Sequence, residues 1–280
     1  MNTELKVSVI VPCYKGEKYI ASCLDRLAAQ SYKNLEVIVV IDGDTDKSAE
    51  IAAKYSVKLV VFGDNRGLSA ARNAGMDIAT GDYIHFMDVD DSINVDFYAN
   101  LVKVATEEKA DIVCASMVNE KRMYRCQVFD KKKVFTSVRG KMSATWAGKW
   151  GYCWRYIFLA EMLRTYNLRF EVGRLIEDLP FTVRALYFAR KVVTAPGAYY
   201  KYNYVPQSIM TDTDPEMRRR RRADYRHSKE LVRKFAKEHG FTAPCTWRDP
   251  MYIVYEMRRF WWKFMQFVHY KGLKKIENQI

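Results

Sequence analysis

The chain has 280 residues, of which 49% are hydrophobic, enough to form the core of one large α/β domain or two small ones. No apolar run approaches the roughly 20 residues of a membrane-spanning helix, and the N-terminus lacks the basic-then-apolar pattern of a signal peptide, so we expect a cytoplasmic protein. The six scattered cysteines and four histidines lack the spacings of zinc sites or disulfide frameworks, and the net charge of +13 indicates an anionic partner: a nucleic acid, a phosphorylated substrate or an acidic membrane surface.

The first part of the chain alternates between predicted strands and helices. Strands are predicted over residues 7–11, 35–41, 58–62 and 83–87, and helices over residues 17–30, 47–55 and 69–79. This alternation predicts an α/β fold with a largely parallel sheet and helices on both faces. Ligands of such sheets bind beyond the carboxyl ends of the strands, where this sequence places Pro12, Asp42, Asp64 and Asp88.

The pattern changes after about residue 115. A stretch rich in Lys, Arg and aromatic residues follows, and from about residue 212 the chain is predicted to be helical. Asp214-Pro215-Glu216 is typical of a helix start, and the run Arg218 to Arg222 comes soon after. We therefore predict a first lobe over 1–115, a second lobe of the same domain over 116–211, and a basic and aromatic helical segment over 212–280.

An acidic turn follows the fourth predicted strand. Asp88-Val89-Asp90-Asp91 comes directly after an apolar run, and hard cations such as Mg²⁺ or Mn²⁺ bind one or two such carboxylates together with substrate phosphates. A solvated loop that caps the next helix would have the same composition. The turn alone does not distinguish the two.

Several further motifs, taken in chain order, help to decide between a metal site and a solvated loop. They are Pro12 to Glu17 (PCYKGE), Ile41 to Asp46 (IDGDTD), Asn65 to Gly75 (NRGLSAARNAG), Asp88 to Asp91 (DVDD) and Glu177-Asp178. The series resembles glycosyltransferase family 2, whose members are inverting enzymes with the GT-A fold. The resemblance covers about the first 110 residues and the later acidic pair. It implies that the lobe over 1–115 binds the nucleotide-sugar and that the lobe over 116–211 binds the acceptor.

The resemblance implies roles for the nucleotide-side residues. Asp42 would accept the ring N–H of uracil, although an Asx-turn that closes the strand would use the same residue. Pro12 and Tyr14 would flank the base and ribose. Glu17 would bond a ribose hydroxyl or the backbone, or belong only to a helix N-terminus. The sequence departs from the family's D-D-G-S pattern at Ile41 and Asp44.

The resemblance also implies a metal site next to the diphosphate. Asp90 would bind Mn²⁺ or Mg²⁺, and Asp88 would lie near the ribose or a metal-bound water. Asp91 would only orient the turn. Arg72 would either face the diphosphate or pair with an acid.

The acidic pair of the second lobe is similar to the family's catalytic pair. Asp178 would be the base that takes the proton of the acceptor hydroxyl, and the alternative is an N-cap pair for the helix that follows. The aromatic cluster Trp146, Trp150, Tyr152, Trp154 and Tyr156 could stack on sugars, but such residues more often form core. Where relatives carry an Arg-containing strand, this chain has Tyr199 to Tyr204, which leaves diphosphate contacts from that segment in doubt.

The combined hypothesis is an inverting glycosyltransferase of bacterial polysaccharide or lipopolysaccharide synthesis. It would move a sugar from a UDP-sugar to a glycan acceptor, which would be lipid-linked. The chain lacks the G-x-G-x-x-G of dinucleotide-binding domains and the P-loop motif, and a non-catalytic basic nucleotide- or nucleic-acid-binding protein is the alternative. Binding to a nucleic acid would not explain why acidic motifs follow the strands in this order, so nucleic acid is the less favoured partner.

The tail carries apolar residues at helical spacing among basic ones. This pattern is typical of an interfacial helix on an anionic membrane and equally of a helix packed on the catalytic domain. Peripheral association with the inner face of the cell membrane is therefore an open expectation. The apolar set is Val254, Met257, Phe260, Trp261, Trp262, Phe264, Met265, Phe267 and Val268.

Overall fold

A computed structural model describes most of the chain. The described residues are 4–43, 45–119, 121, 125–147, 149–206, 208–244, 253, 257, 260 and 261. Asp44 and most of the predicted tail helix, including Val254, Trp262, Phe264, Met265, Phe267 and Val268, lie outside them.

The first part of the chain has the predicted alternation. Its elements are β1 (Val7–Cys13), α1 (Ile20–Ala28), β2 (Leu35–Asp42), α2 (Ser48–Ala52), β3 (Lys58–Phe62), α3 (Leu68–Ile78) and β4 (Tyr83–Phe86). Every residue of β1 and β4 is buried, which explains why these strands are apolar runs without alternation. The seven predictions made for this part are confirmed to within a few residues at each end.

The second part is less regular. It contains β5 (Ser92–Ile93), α4 (Phe97–Glu108), β6 (Ile112–Asn119), β7 (Val134–Phe135), α5 (Val138–Thr145), β8 (Tyr156–Leu159), α6 (Ala160–Thr165), α7 (Asp178–Phe188), β9 (Val192–Tyr202) and α8 (Pro215–Glu238). A 3-10 turn at Cys153–Arg155 leads into β8.

The described strands form one sheet in the order β3-β2-β1-β4-β8-β6-β9-β5, with β7 also paired to β9. The strands β3, β2, β1 and β4 are parallel, as predicted. In the other half, β8 lies antiparallel between β4 and β6, so the sheet as a whole is mixed. The predicted lobe boundary near residue 115 falls inside β6, and both lobes share this sheet.

Two hydrophobic cores cover the two faces of the sheet. In β1, Val9 and Val11 belong to one core, whereas Ile10 belongs to the other. Burial of each such side chain stabilises the fold by about 1.5–3 kcal/mol. Helix α3 packs closely on β1, because a Cβ on Gly75 would lie 2.4 Å from the side chain of Ile10. The close contact fixes α3, and with it Arg72, against the centre of the sheet.

Helix α8 begins where the sequence predicted. The carboxylate of Asp214 accepts hydrogen bonds from the backbone N–H groups of Glu216 and Met217, both at 2.9 Å, and Pro215 occupies the first turn. Among the described residues, no helix is both long enough and apolar enough to cross a membrane.

Candidate functional site

The carboxyl ends of β1, β2 and β4 meet at one edge of the sheet. Cys13 is paired with Ile41, and Ile10 with Phe86, in parallel register. Parallel strands release their following turns at the same edge, which is where open α/β sheets bind ligands. The turns after Cys13, Asp42 and Phe86 therefore form one surface.

The turn after β1 presents one aromatic ring to solvent. Pro12 is buried within the strand, whereas Tyr14 is 46% exposed, with the Lys15 ammonium 5.2 Å from its ring centroid. Glu17 accepts a hydrogen bond from the backbone N–H of Lys47 at 3.4 Å. Tyr14 is thus placed to meet a ligand, and Glu17 has the backbone partner that was one of its predicted alternatives.

Asp42 links β2 to the loop before α3. One carboxylate oxygen accepts from the N–H of Arg66 at 2.6 Å and the other from the N–H of Gly67 at 2.9 Å. The side chain is buried. This is a bond to a distant loop, not the local Asx-turn considered as the alternative, and it holds the Asn65 to Gly75 motif against the strand end.

The acidic turn after β4 is anchored to the end of β9. Asp91 is fully buried and accepts from the Tyr200 hydroxyl at 2.9 Å and from the backbone N–H of Asn203 at 2.8 Å. The side-chain amide of Asn203 donates to the carbonyl oxygen of Asp90 at 2.9 Å. These bonds fix the turn, so Asp91 orients it, as predicted, and the Tyr-rich segment Tyr199 to Tyr204 supplies its partners.

Asp90 faces a cavity of about 280 Å³. The cavity lies between the start of α1 and residues 203–206, and Lys18, Arg26 and Tyr204 also line it. Burial and, to a lesser extent, the nearby negative charge of Asp88 together raise the pKa of Asp90 to about 6. A bound cation would relieve the repulsion between the two carboxylates.

Arg72 joins the acidic turn to the acidic pair. Its guanidinium is buried, donates to Asp88 at 2.8 Å and to Glu177 at 2.5 Å, and lies 5.3 Å from the ring centroid of Phe170. Two roles were predicted for Arg72, contact with the diphosphate or pairing with an acid, and the structure shows the pairing. The residue contributes to the site by bringing two distant motifs together.

The environment of this bridge is polar but incompletely satisfied. Arg72 Nε and Glu177 Oε2 are buried without a hydrogen-bond partner among the described residues, as are Ser69 Oγ on α3 and Thr182 Oγ1 on α7. Burial raises the pKa of Glu177, and the positive charge of Arg72 opposes this rise. The ion pair is therefore shielded from water, and one polar atom of each partner is left without a hydrogen bond in the described part of the chain.

Asp178 occupies the first turn of α7 and remains partly exposed. Burial raises its pKa, the charge of Arg72 opposes the rise and that of Asp88 adds to it, while the backbone N–H groups of Tyr152 and Leu179 bond the carboxylate. A Cβ at Gly151 would lie 2.5 Å from the Asp178 carboxyl carbon, so residue 151 must be glycine for the acid to sit here. Neither Glu177 nor Asp178 makes the side-chain N-cap bond considered as the alternative.

The aromatic cluster is mainly core. Trp150, Trp154 and Tyr156 are buried, whereas Trp146 and Tyr152 are partly buried. The rings form a ladder: Trp150 stacks on Tyr152 at 5.6 Å between centroids, Tyr152 on Trp154 at 4.8 Å, and Trp154 on Tyr200 at 4.3 Å. The ladder supports the tyrosine that anchors the acidic turn.

The residues present fit a divalent cation of the kind predicted. Within the described part of the chain, no three acidic, histidine or cysteine side chains converge to form a complete metal site. Mg²⁺ and Mn²⁺ commonly bind only one or two protein carboxylates when a substrate diphosphate supplies the remaining oxygens. Asp90, with Asp88 beside it, is such an incomplete set.

Sequence reasoning missed three supporting positions. Tyr200 and Asn203 hold the acidic turn, and Gly151 makes room for Asp178. A hydroxyl and an amide in the Tyr199 to Tyr204 segment, and the glycine before Tyr152, were the available signals. None indicates its partner without the fold.

Comparison with known proteins gives consistent matches. The family model described as Glycosyl transferase family 2 matches residues 8–146. The uncharacterized glycosyltransferase EpsJ of Bacillus subtilis is 33% identical over 215 residues, which cover 72% of this chain and 62% of EpsJ. The chain spans less than two thirds of the length of the first curated relatives that it matches.

Two solved structures share the fold. Staphylococcus aureus TarS 1–349 in complex with UDP-GlcNAc has a TM-score of 0.66 at 24% identity, covering 84% of this chain and 72% of TarS. The mannosyltransferase PcManGT from Pyrobaculum calidifontis, in complex with GDP-Man and Mn²⁺, has a TM-score of 0.61 at 24% identity, covering 87% of this chain and 66% of PcManGT. The prediction of a GT-A fold is confirmed by these similarities.

Proposed function

Because the chain belongs to glycosyltransferase family 2, we propose that it transfers a sugar from a UDP-sugar to a hydroxyl of a glycan, with inversion at the anomeric carbon. The observation that carries the proposal is the buried Arg72 bridge, which ties the acidic turn after β4 to the acidic pair at the start of α7. A single displacement needs a group on each side of the sugar. The bridge brings the acidic turn, which carries the candidate metal ligand Asp90, next to the acidic pair, which carries the candidate base Asp178.

On the nucleotide side, Asp42, Tyr14 and Pro12 surround the base and ribose. Each carboxylate oxygen of Asp42 accepts one hydrogen bond from a backbone N–H of the loop before α3. Each oxygen has a second lone pair, which can accept a hydrogen bond from the uracil ring N–H. Tyr14 offers an exposed ring face beside it. The main role of Glu17 is its hydrogen bond to the backbone N–H of Lys47, and a bond to a ribose hydroxyl is its secondary role.

On the diphosphate side, Asp90 would bind Mg²⁺ or Mn²⁺, with Asp88 next to it. When bound, the cation neutralises the diphosphate and stabilises the charge that develops on the leaving UDP. Arg72 keeps Asp88 in place without contacting the diphosphate itself. The presence of Mn²⁺ in the PcManGT structure supports the choice of cation class.

On the acceptor side, Asp178 takes the proton of the attacking hydroxyl. Backbone N–H groups orient the carboxylate, and its raised pKa strengthens it as a proton acceptor. General-base assistance of this kind contributes about 10²- to 10⁴-fold to the rate. Glu177 does not replace Asp178, because Arg72 holds it.

We extend the proposal to the setting of the reaction. The acceptor is a glycan of bacterial polysaccharide or lipopolysaccharide synthesis, carried on a lipid, and the enzyme works as a peripheral protein at an anionic cytoplasmic membrane face. The +13 net charge supports the anionic membrane face in this setting. The ordered carboxylates disfavour nucleic acid as the partner.

Asp178→Asn tests the base. UDP release from UDP-glucose, UDP-galactose and UDP-GlcNAc with Mn²⁺ should fall by about 10²- to 10⁴-fold, while binding of UDP is retained. Asp130→Asn, at an exposed aspartate, is the control and should keep full turnover. Substantial turnover in Asp178→Asn would remove the assignment and direct attention to Glu177.

Asp90→Ala tests the metal role. Its turnover should lose its dependence on added Mn²⁺ or Mg²⁺ and fall to a metal-independent remainder, whereas binding of uridine alone should be unchanged. Full wild-type activity in excess chelator would contradict the metal role outright.

A further inference from the structure

One face of α8 carries a continuous basic surface. The buried residues Asp224, Ser228, Val232 and Ala236 recur every four positions and mark the inner face of the helix. The outer face carries exposed basic side chains along its whole length. We call this set the α8 basic face: Arg218, Arg219, Arg222, Arg226, Arg233 and Lys237.

The charges of the α8 basic face are not neutralised. Within the described residues, none of its six members forms an ion pair. By contrast, Arg220 on α8 and Arg174 in the segment before α7 both pair with Asp224. The remaining acid between Arg218 and Lys237 is Glu230. The helix therefore presents a row of uncompensated cations to solvent.

Exposed apolar side chains occur in the loop before α8 and in the segment after it. Arg221 donates to the carbonyl oxygens of Ile209 and Asp212, each at 2.6 Å, and so holds a loop whose Ile209 and Met210 are exposed. Further along the chain, Ile253, Met257 and Phe260 are helical, spaced four and three residues apart, and 57%, 66% and 77% exposed. Their spacing places them on one face of a helix.

We infer that the α8 basic face docks on an anionic lipid bilayer, with the exposed apolar residues entering the headgroup region. Cations beside exposed aliphatic and aromatic side chains are the combination that a bilayer surface accommodates. A nucleic acid would neutralise the charges but would leave Met257 and Phe260 in water. Charge and apolar exposure together select the membrane.

The same helix fixes the acidic pair. The inner-face residue Asp224 accepts from the backbone N–H of Leu175 at 3.1 Å, and Ser228 donates to the carbonyl oxygen of Ile176 at 2.7 Å. These bonds hold the segment that ends at Glu177 and Asp178. Docking through the outer face would therefore set the distance of Asp178 from the bilayer, an inference that rests on the proposed function and its lipid-linked acceptor.

The test is sedimentation of the full chain with phosphatidylcholine vesicles and with vesicles that also contain phosphatidylglycerol. The wild type should bind the anionic vesicles, and less at high salt. Replacing Arg219, Arg222, Arg226 and Arg233 with Gln should weaken that binding by about 100-fold or more. Replacing Met257 and Phe260 with Asn should weaken binding at high salt as well, because this contribution is not electrostatic.

A matched control removes the same charge elsewhere. The variant with Lys33, Lys54, Lys103 and Lys131 changed to Gln should bind within about 3-fold of wild type, because these exposed residues lie outside α8. Equal loss in both variants, or equal wild-type binding to neutral and anionic vesicles, would overturn the inference. Binding to random duplex DNA, lost in the α8 variant, without vesicle binding, would assign the face to nucleic acid.

UDP release measured without vesicles separates this inference from the proposed function. The α8 variant should release UDP at the wild-type rate. Vesicle binding without UDP release in the wild type would refute the proposed sugar transfer alone. UDP release without vesicle binding would refute the docking surface and the membrane setting, and would leave the proposed sugar transfer standing.

Discussion

The nucleotide side and the acceptor side of the site hold their carboxylates in different ways. Asp42 accepts hydrogen bonds from the backbone N–H groups of Arg66 and Gly67, and Asp46 accepts from those of Glu17 and Ser48. Glu177 instead depends on a single buried guanidinium from the other half of the chain. The partners on the first side are backbone groups, which a side-chain substitution does not remove, whereas the second side depends on one arginine side chain.

The largest effect should come from Arg72→Met, which removes the contact between the two sides. Two carboxylates would lose their shared cation, one of them fully buried, and such a loss costs about 3–5 kcal/mol. Urea unfolding of the two proteins measures the difference.

Arg169→Gln is the matched control for Arg72→Met. Arg169 pairs with Asp77 at the surface, with both side chains well exposed, so its loss should cost no more than about 1 kcal/mol. Similar values for the two variants would contradict the central role of the buried bridge.

The next effect concerns acid stability at the strand where the two sides meet. His85 on β4 is buried between the Tyr98 hydroxyl and the carbonyl oxygen of Trp154, so its Nε2 carries the proton that Trp154 accepts. Burial lowers the pKa of His85 from 6.5 to about 4, although the bond to Trp154 opposes the shift. The stabilisation that this shift represents is present above pH 6.5 and is lost as the pH falls towards 4.

The size of this loss is about 3 kcal/mol. Comparing the pH dependence of unfolding free energy in wild type and His85→Asn isolates it, because all other groups titrate in both proteins. Parallel curves from pH 7.5 down to about 4 would show that His85 does not account for acid sensitivity.

A smaller effect is expected within the nucleotide side alone. Asp42→Ala should destabilise the chain by about 1.5–3 kcal/mol, because two N–H groups of the loop before α3 lose a charged acceptor. UDP affinity, measured by calorimetry, should fall as well. Asp64→Ala, at an exposed aspartate two residues from that loop's Arg66, should change neither quantity appreciably.

The smallest effect lies outside both sides. Asp214→Ala removes the N-cap of α8 and should cost about 1 kcal/mol, and Asp214→Ser should recover most of it. Thermal unfolding of the two variants gives the comparison. If Asp214→Ala lowers the free energy of unfolding well below that of Asp42→Ala, the N-terminus of α8 contributes more to stability than the Asp42 carboxylate does.

The parts that sequence could predict are those encoded locally. The apolar runs of β1 and β2 and the Asp214 cap depend on residues close together in the chain, and these predictions agreed with the structure. The antiparallel insertion of β8 between β4 and β6 has no such local pattern. It made the sheet mixed where the first part of the chain indicated parallel strands.

The contacts that build the site are long-range. Arg72 and Glu177 are 105 residues apart, and Asp91 and Asn203 are 112 apart. The acidic motifs could be found because their residue types suit their chemistry. Their partners could not, because an arginine on α3 has no sequence feature that selects Glu177 and Asp88 over a diphosphate.

The stacked rings from Trp150 to Tyr200 give the site its own optical signal. Electronic transitions of rings this close couple to one another, so the near-ultraviolet dichroism of Trp154 depends on the orientation of Tyr200, whose centroid is 4.3 Å away. The hydroxyl of Tyr200 donates to Asp91 and accepts from the backbone N–H of Asp88. Any ligand that shifts the acidic turn will thus alter the spectrum of the unlabelled protein, and occupancy can be followed without a dye.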